Sequence, residues 1–283
     1  PEQTVKYIKL KKLANNLMTK GTAVIPNAVY HADPAYSSSD LKLITNTCPD
    51  AFYKTKYEGQ KKDHAPALKK AFRDGELCHA FTLEPERAKK DYAVCANRST
   101  TEGKKQAAQM KKDGIEAINN TELELVTNVS QAVFNHPVAS ELLSEGQPEL
   151  SFWADDSITG LCCKARPDWI KKDGTIIDLK TTGDKGAKPS AFSKTAANLL
   201  YHLQAAHYLE VTKAKRFVFL VVEKVFPFSV GIYELDEAAL EEGYRLRNDA
   251  LALIKSCHQN GKWPTYTEEI TSLSFPNWAF TSH

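Results

Sequence analysis

The sequence predicts an α+β (α/β) chain built on a central mixed β-sheet flanked by helices. Three observations lead there. Asp173-Gly174 stands between two apolar runs as a strong hairpin signal. Arg216 to Glu223 is apolar and β-branched throughout, as a strand buried on both faces must be. Long helical patterns occupy Pro66 to Leu83, Pro189 to Glu210 and Asp236 to about Gly261.

The whole chain sets bounds on the reading. Its 283 residues can bury a substantial core. A net charge of +2 does not announce a nucleic-acid binder, so any such surface must come from local clustering. No apolar run reaches the roughly 18 residues of a membrane span and no signal peptide is visible, so we expect a cytoplasmic protein with no membrane partner. The six cysteines include no C-x-x-C pair, which argues against a zinc site and for reduced thiols. The chain begins with Pro1, as a processed product or, the expectation we prefer, a fragment of something longer would. We expect a peripheral segment over residues 1–29, a main domain over 30–260 and an aromatic tail over 261–283.

In order, Lys6 to Met18 has helical spacing and many lysines. Tyr30 to Ser39 reads as a loop. Ser38 or Ser39 is the expected cap of a helix from Asp40, with Leu41 and Ile44 on its buried side. A second helix opens at Pro49, since proline is tolerated in a first turn. Phe52 to Tyr57 mixes aromatic and basic residues, either as a half-solvated helix face or as a contact for phosphates. On the helix from Pro66, Leu68, Phe72, Gly75 and His79 recur at helical spacing, and Gly75 would let another backbone come close. Tyr92 to Asn97 is a candidate short strand. Thr100 to Asn119 reads as helical, with Lys104, Lys105, Lys111 and Lys112 on a solvated face. Thr121-x-x-Glu124 is an expected capping box for a helix to His136-Pro137, followed by a short helix from Val138 to Leu143.

Leu150 to Ala154 and Leu161 to Ala165 alternate as strands and, with Thr175 to Thr181, predict a three-stranded antiparallel meander. Gly183 to Lys188 is a basic loop, either touching substrate or disordered. Leu203, Ala206 and Leu209 give the next helix its core side, and His202 and His207 have no partner at ligand spacing. Pro227 to Glu234 pairs with the buried strand. Asp236 caps the last helix, with Ala239, Leu240, Tyr244, Leu251, Leu253 and Ile254 as its stripe. The aromatic tail, with Trp263, Phe275, Trp278 and Phe280, either docks on the core or forms a subunit contact.

The chemistry concentrates around the hairpin. A turn centred on Asp173 puts Asp168 directly opposite Asp178, where Cβ atoms are about 4.5–5.5 Å apart. Two facing carboxylates repel, so the pairing makes sense around a hard divalent cation such as Mg²⁺. Lys180 shares the strand face of Asp178, while Ile177 and Leu179 point to the other. A cation there could polarise a phosphate and activate a water, with the lysine orienting or deprotonating it. That combination predicts metal-dependent hydrolysis of a phosphodiester. Glu149 is either a further acidic group near the metal or a plain edge glutamate. Arg166 either binds phosphate or pairs with a carboxylate.

Pro167-Asp168 followed by Asp178-Leu179-Lys180 resembles the core motif of the PD-(D/E)XK nuclease superfamily. Gly75-x-x-x-His79 and Gln204-x-x-x-Tyr208 resemble the flanking motifs of its RecB-type branch, without that branch's iron–sulfur cysteines. Glu149-Leu-Ser-Phe-Trp, Cys163-Lys-Ala-Arg-Pro-Asp and Tyr201-His-Leu-Gln-Ala-Ala-His-Tyr resemble the nuclease domain of the RecE (exonuclease VIII) family, over about Tyr30 to Leu235.

The resemblance implies a PD-(D/E)XK nuclease core over 30–260 and an exodeoxyribonuclease that uses Mg²⁺, with Mn²⁺ able to substitute. It implies Asp168, Asp178, Lys180 and His79 as catalytic residues, with His79, Asp168, Asp178 and Leu179 at the metal. Gln204 and Tyr208 would then be a DNA-backbone contact or a site-orienting pair, with Arg166 also on the DNA. It further implies 5′ to 3′ processive digestion of linear double-stranded DNA, a ring-shaped homo-oligomer (tetramer or trimer) and a RecT-like single-strand annealing protein as partner in recombination. The same core serves restriction-type endonucleases and lambda-type exonucleases. A non-catalytic DNA-binding module on the same fold would be expected to lack the lysine or an aspartate, and all three residues are present.

Overall fold

A computed structural model describes residues 21–60, 65–95, 97 and 99–280, and Lys6 to Met18 lie outside them. In chain order the elements are β1 (Gly21–Ala23), α1 (Asn27–Ala32), α2 (Ser38–Asn46), α3 (Pro49–Lys56), α4 (Pro66–Leu83), α5 (Pro85–Asp91), β2 (Tyr92–Val94), α6 (Thr101–Lys112), β3 (Glu116–Ile118), α7 (Asn120–Asn135) and α8 (Pro137–Leu142). They continue with β4 (Gly146–Pro148), β5 (Ser151–Asp155), β6 (Cys162–Ala165), β7 (Trp169–Lys171), β8 (Thr175–Thr182), α9 (Pro189–Asn198), α10 (Tyr201–Thr212), β9 (Arg216–Glu223), β10 (Val230–Tyr233) and α11 (Glu237–Asn260). The fold is the mixed, helix-flanked sheet that the sequence predicts.

The centre is a five-stranded sheet in the order β10-β9-β8-β7-β4. β8 and β9 run parallel over their whole length, and β7 and β10 pair antiparallel to them. A parallel neighbour requires a crossover, supplied here by α9 and α10. Ile177, Leu179, Val218, Leu220 and Val222 pack on one face against Leu77 and Cys78 of α4 and Val126, Val129 and Val133 of α7. Ile176, Phe217, Phe219 and Val221 pack on the other against Phe192, Ala196, Ala205 and Leu209 of α9 and α10. Burial on both faces explains the unbroken apolar run of β9.

The predicted hairpin forms. Trp169 pairs with Ile177 and Ile170 with Ile176. Gly174 takes φ +85°, a region that favours glycine, and the Asp173 carboxylate accepts the Thr175 N–H at 2.8 Å. The expected meander does not. β5 and β6 belong to a separate sheet with β1. β6 has both edges in use: β5 holds one, and Tyr36 holds the other through hydrogen bonds to Cys162 and Lys164. It therefore has no free edge for β8, and the chain changes sheet across Arg166-Pro167-Asp168.

Several boundaries also shift. α1 occupies the start of the expected Tyr30 to Ser39 loop. The capping boxes belong to Ser37 with Asp40 and Asn119 with Glu122, because those side chains lie three residues before the N–H they accept. The helix expected to run to Asn119 stops at Lys112, and the chain then forms β3, parallel to β2. Leu68 and Phe72 are 42% and 55% exposed, not core. The buried side of α4 begins at Asp74 and continues with Leu77, Cys78, Thr82 and Leu83. Gly75 lies beside Thr181, one residue from the end of β8, so the turns before it have little sheet to pack against. A Cβ on Gly75 would meet the Thr181 hydroxyl at 3.5 Å, an ordinary contact with a side chain and not the expected close backbone.

The Pro189 to Glu210 pattern is two helices, broken at Leu199 and Leu200, with Leu200 in the left-handed region. The loop after β8 is ordered: Ala187 is buried, and its N–H donates to Glu223 and its carbonyl accepts from Tyr233. α11 starts at its Asp236 cap and lies close to α10. A Cβ on Gly243 would stand 2.3 Å from the His202 carbonyl oxygen, so only glycine permits that approach. Leu251 and Ile254 are buried in its stripe, whereas Leu253 is exposed. At its start the tail docks: the Trp263 ring stacks on Phe52 at 5.8 Å, and the Pro264 carbonyl accepts the Asp50 N–H. Farther on, Tyr266, Ile270, Leu273, Phe275 and Phe280 are exposed. Among the described residues no helix is long and apolar enough to cross a membrane.

Candidate active site

The site lies where β7 and β8 diverge. Alternation along β8 sends Ile177 and Leu179 into the α4/α7 core, and Asp178 and Lys180 toward α10. The β7–β8 register, continued by one step, sets Asp168 opposite Asp178. Asp178 is 1% exposed. Its Oδ1 accepts a hydrogen bond from Gln204 Nε2 at 2.7 Å, and Lys180 Nζ lies 2.5 Å from Oδ2. Lys180 is therefore the charged partner that this buried oxygen faces.

Asp168 accepts the Leu179 N–H at 2.9 Å through Oδ2, and His79 Nδ1 lies 3.4 Å from the same oxygen. The His79 ring also bonds the Leu179 backbone carbonyl. The Leu179 side chain is core, so this carbonyl is what the residue can offer a cation. Burial, and next the charge of Asp178, push the Asp168 carboxyl up to about 7. Burial draws the His79 pKa down, and Lys180 adds to this, which favours the neutral imidazole that can bind a metal. Burial opposes the charge of Lys180, but Asp178 and Asp168 hold its pKa above the ordinary lysine value.

Gln204 and Tyr208 share one side of α10. Gln204 is 8% exposed, with its amide between Asp178 and Lys42. Tyr208 has its phenol bonded to Ser38 and its ring against Phe217. Arg166 pairs with Glu149, Nε to Oε2 at 2.8 Å, also donates to Asn27, and lies 4.1 Å above the Tyr30 ring. Burial lifts the Glu149 carboxyl to about 7, against the pull of Arg166. Glu149 has a left-handed backbone at the β4–β5 junction, and its N–H donates to the Asp168 carbonyl. A cleft of about 870 Å³ opens beside this group, with Gly75, His79, Glu149 and Arg166 in its wall. His207 is buried and bonds the Lys164 carbonyl.

Sequence reasoning missed Lys42 and Tyr201. Lys42 Nζ donates to Gln204 Oε1 at 2.9 Å, and both Lys42 and Lys180 stand over the Tyr201 ring, at 4.8 and 4.7 Å. Burial draws the Lys42 pKa down to about 7, with Lys180 acting the same way and Asp178 opposing. Tyr201 precedes Gln204 by one helical turn, a spacing that could have placed it at the site. Nothing in the sequence marks Lys42.

The donors available are two carboxylates, a neutral imidazole and a backbone carbonyl, a set suited to Mg²⁺ or Mn²⁺. Among the described residues no three His, Cys, Asp or Glu side chains form a ready cage. The facing carboxylates and the raised Asp168 pKa nevertheless fit a divalent cation, because the pair carries more negative charge than Lys180 alone balances.

A family model described as a PDDEXK-like domain of unknown function (DUF3799) matches residues 37–275. No curated protein matches the chain. Among solved structures, a candidate exonuclease from Eubacterium rectale is similar at TM-score 0.57 and 14% identity, over 91% of this chain and 98% of that one. That likeness shows the fold. An alkaline exonuclease from Laribacter hongkongensis is similar at TM-score 0.34 and 16% identity, over 65% of this chain and 95% of that one. A phage-related exonuclease from Haemophilus somnus is similar at TM-score 0.36 and 13% identity, over 81% and 96%.

Proposed function

The chain belongs to this PDDEXK-like family, and on that premise we propose that it is a divalent-metal-dependent exodeoxyribonuclease acting on linear double-stranded DNA. The observation that carries the reading is the facing pair of half-buried Asp168 and buried Asp178 with Lys180 against it. His79, Asp168, Asp178 and the Leu179 carbonyl would hold the metal, Mg²⁺ by preference and Mn²⁺ as substitute. When bound, such a cation polarises the scissile phosphate and lowers the pKa of a bound water.

The remaining roles belong to the chain itself. Lys180 keeps its proton at neutral pH, so it orients the attacking water as a hydrogen-bond donor and offsets negative charge developing on the phosphate. Gln204 fixes one oxygen of Asp178. The Leu179 N–H fixes Asp168. Arg166, held by Glu149, Asn27 and Tyr30, presents a cation at the cleft where a DNA phosphate would pass.

The motif resemblance supports the finer reading: a RecE-type nuclease domain over 30–260, digesting processively from 5′ to 3′ and working in recombination with a RecT-like annealing protein. The exposed apolar residues after Pro264 are consistent with a ring-shaped homo-oligomer. The test is digestion of linear and covalently closed circular duplex with Mg²⁺, with EDTA as control. Loss of linear duplex alone, dependent on Mg²⁺, is expected. Cleavage of the circle would favour a restriction-type endonuclease, and inertness toward both would overturn the nuclease reading.

A further inference from the structure

Lys42 reaches the site from α2, an element outside every motif assigned above. Leu41 and Ile44 of α2 are buried in one cluster with Leu203 of α10, which fixes the height of Lys42 against Gln204. Its Nζ donates to Gln204 Oε1 at 2.9 Å, while Gln204 Nε2 donates to Asp178 Oδ1 at 2.7 Å.

The three groups form a directional chain. A carboxylate only accepts and an ammonium only donates, whereas a glutamine amide has an accepting end and a donating end. With Lys42 protonated, the amide of Gln204 therefore has one favourable orientation between Asp178 and Lys42. Turning it over would set its oxygen against the carboxylate and its NH₂ against the ammonium. The contact to Asp178 is buried and that to Lys42 half-buried, and both would be left repulsive, at a cost above that of ordinary lost hydrogen bonds. The Tyr201 ring lies under both amino groups, Lys42 at 4.8 Å and Lys180 at 4.7 Å, and attracts each when it is charged.

We propose that Lys42 is a positioning residue for metal binding: by fixing the Gln204 amide it locks Asp178 Oδ1 and so sets the orientation in which the Asp178 carboxylate, with Lys180 facing its Oδ2, meets the cation. The inference rests on the metal-nuclease reading of the site. Groups that orient a metal ligand from behind contribute about 10–100-fold to metal affinity or activity. Lys42 should thus act on the metal through Gln204, without touching metal or substrate.

The test is calorimetric titration of Mn²⁺ into the DNA-free protein, for wild type, Lys42→Met, Lys42→Arg, Gln204→Met and the Lys42→Met/Gln204→Met double variant. Lys42→Met should weaken Mn²⁺ binding about tenfold or more, and Lys42→Arg should restore most of it. In the Gln204→Met background Lys42→Met should add little, because the path it uses is already gone. Kinetically, kcat at fixed Mg²⁺ should fall while KM for duplex stays near wild type. Unchanged Mn²⁺ affinity in Lys42→Met overturns the proposal. So do additive losses in the double variant, which would mean a separate role such as a direct phosphate contact. If Lys42→Met proves too unstable to titrate, Lys42→Gln, which removes the charge and shortens the donor, is compared in the same two backgrounds by the same criteria. A wild type that neither binds Mn²⁺ nor cuts DNA would instead defeat the reading of the site as a metal nuclease.

Discussion

Asp168 and Asp178 stand at facing positions one step beyond the Trp169–Ile177 pair, and the charge of the second helps push the pKa of the first up to about 7. Such a pair is destabilising in a protein that binds nothing there. On the proposed reading, its value lies in what it does to a cation.

Asp178→Ala should abolish Mg²⁺-dependent cleavage while leaving the fold intact by circular dichroism. Ligand at about 100 times its Kd stabilises a protein by about 2.7 kcal/mol. For a chain of this size that is a rise of several degrees in Tm. The wild type should show this rise with Mg²⁺ and the variant should not. Normal activity in a folded Asp178→Ala protein would remove the metal site from consideration.

Metal affinity should fall as the pH drops through 7. With its carboxyl near 7, Asp168 is about half protonated there in the metal-free protein and must lose that proton to bind a cation. The sign is therefore weaker binding at lower pH. One displaced proton with a pKa near 7 gives about a tenfold weaker Kd for Mn²⁺ at pH 6 than at pH 8. His79 has a lowered pKa and so adds little above pH 6.5. Titrations at pH 6, 7 and 8 in buffers of different ionisation enthalpy measure both the affinity and the protons released. In Asp168→Asn the residual binding should lose the Asp168 share of this slope and keep only what Glu149 and Lys42, also near 7, contribute, and a wild-type Kd independent of pH would contradict the assignment.

His79→Ala separates a ligand from a packing residue. If the imidazole holds the metal, the Mg²⁺ concentration for half activity should rise by about tenfold or more. If it only fills space between α4 and β8, the variant should melt earlier with an unchanged Mg²⁺ requirement. Activity against Mg²⁺ concentration, beside a melting curve, distinguishes these results.

The parts legible in the sequence were those encoded by local spacing. Asp173-Gly174 fixed the turn, the turn fixed the register, and the register brought Asp168 to Asp178. The buried strand Arg216 to Glu223 was legible because burial on both faces leaves an unbroken apolar run. The meander was not, because its failure depends on Tyr36, far away in sequence, taking the second edge of β6. Leu68 and Phe72 misled because periodicity reports which residues share a helix face, not how far the sheet beneath that face extends. Lys42 stayed hidden for a similar reason: its role exists only after α2 packs on α10, and a lone lysine on an amphipathic helix looks like a solvated one.

Lys180 tests the chemistry itself. Its ammonium lies beside Asp178, and Asp178 and Asp168 hold it charged. A cation in that place acts on the attacking water or the phosphate mainly in the transition state. Removing such a group lowers kcat more than it raises KM. Loss of one preorganised charge costs on the order of 10²–10³ in rate. Lys180→Ala should therefore bind duplex and Mn²⁺ and cut very slowly in single turnovers at saturating enzyme. Lys104 and Lys105, exposed on α6, give the contrast. If they touch phosphate, their loss should weaken binding in a salt-dependent way and leave the single-turnover rate nearly unchanged. A Lys180→Ala rate close to wild type at saturating enzyme would make Lys180 a binding residue and place the stabilising charge elsewhere in the site.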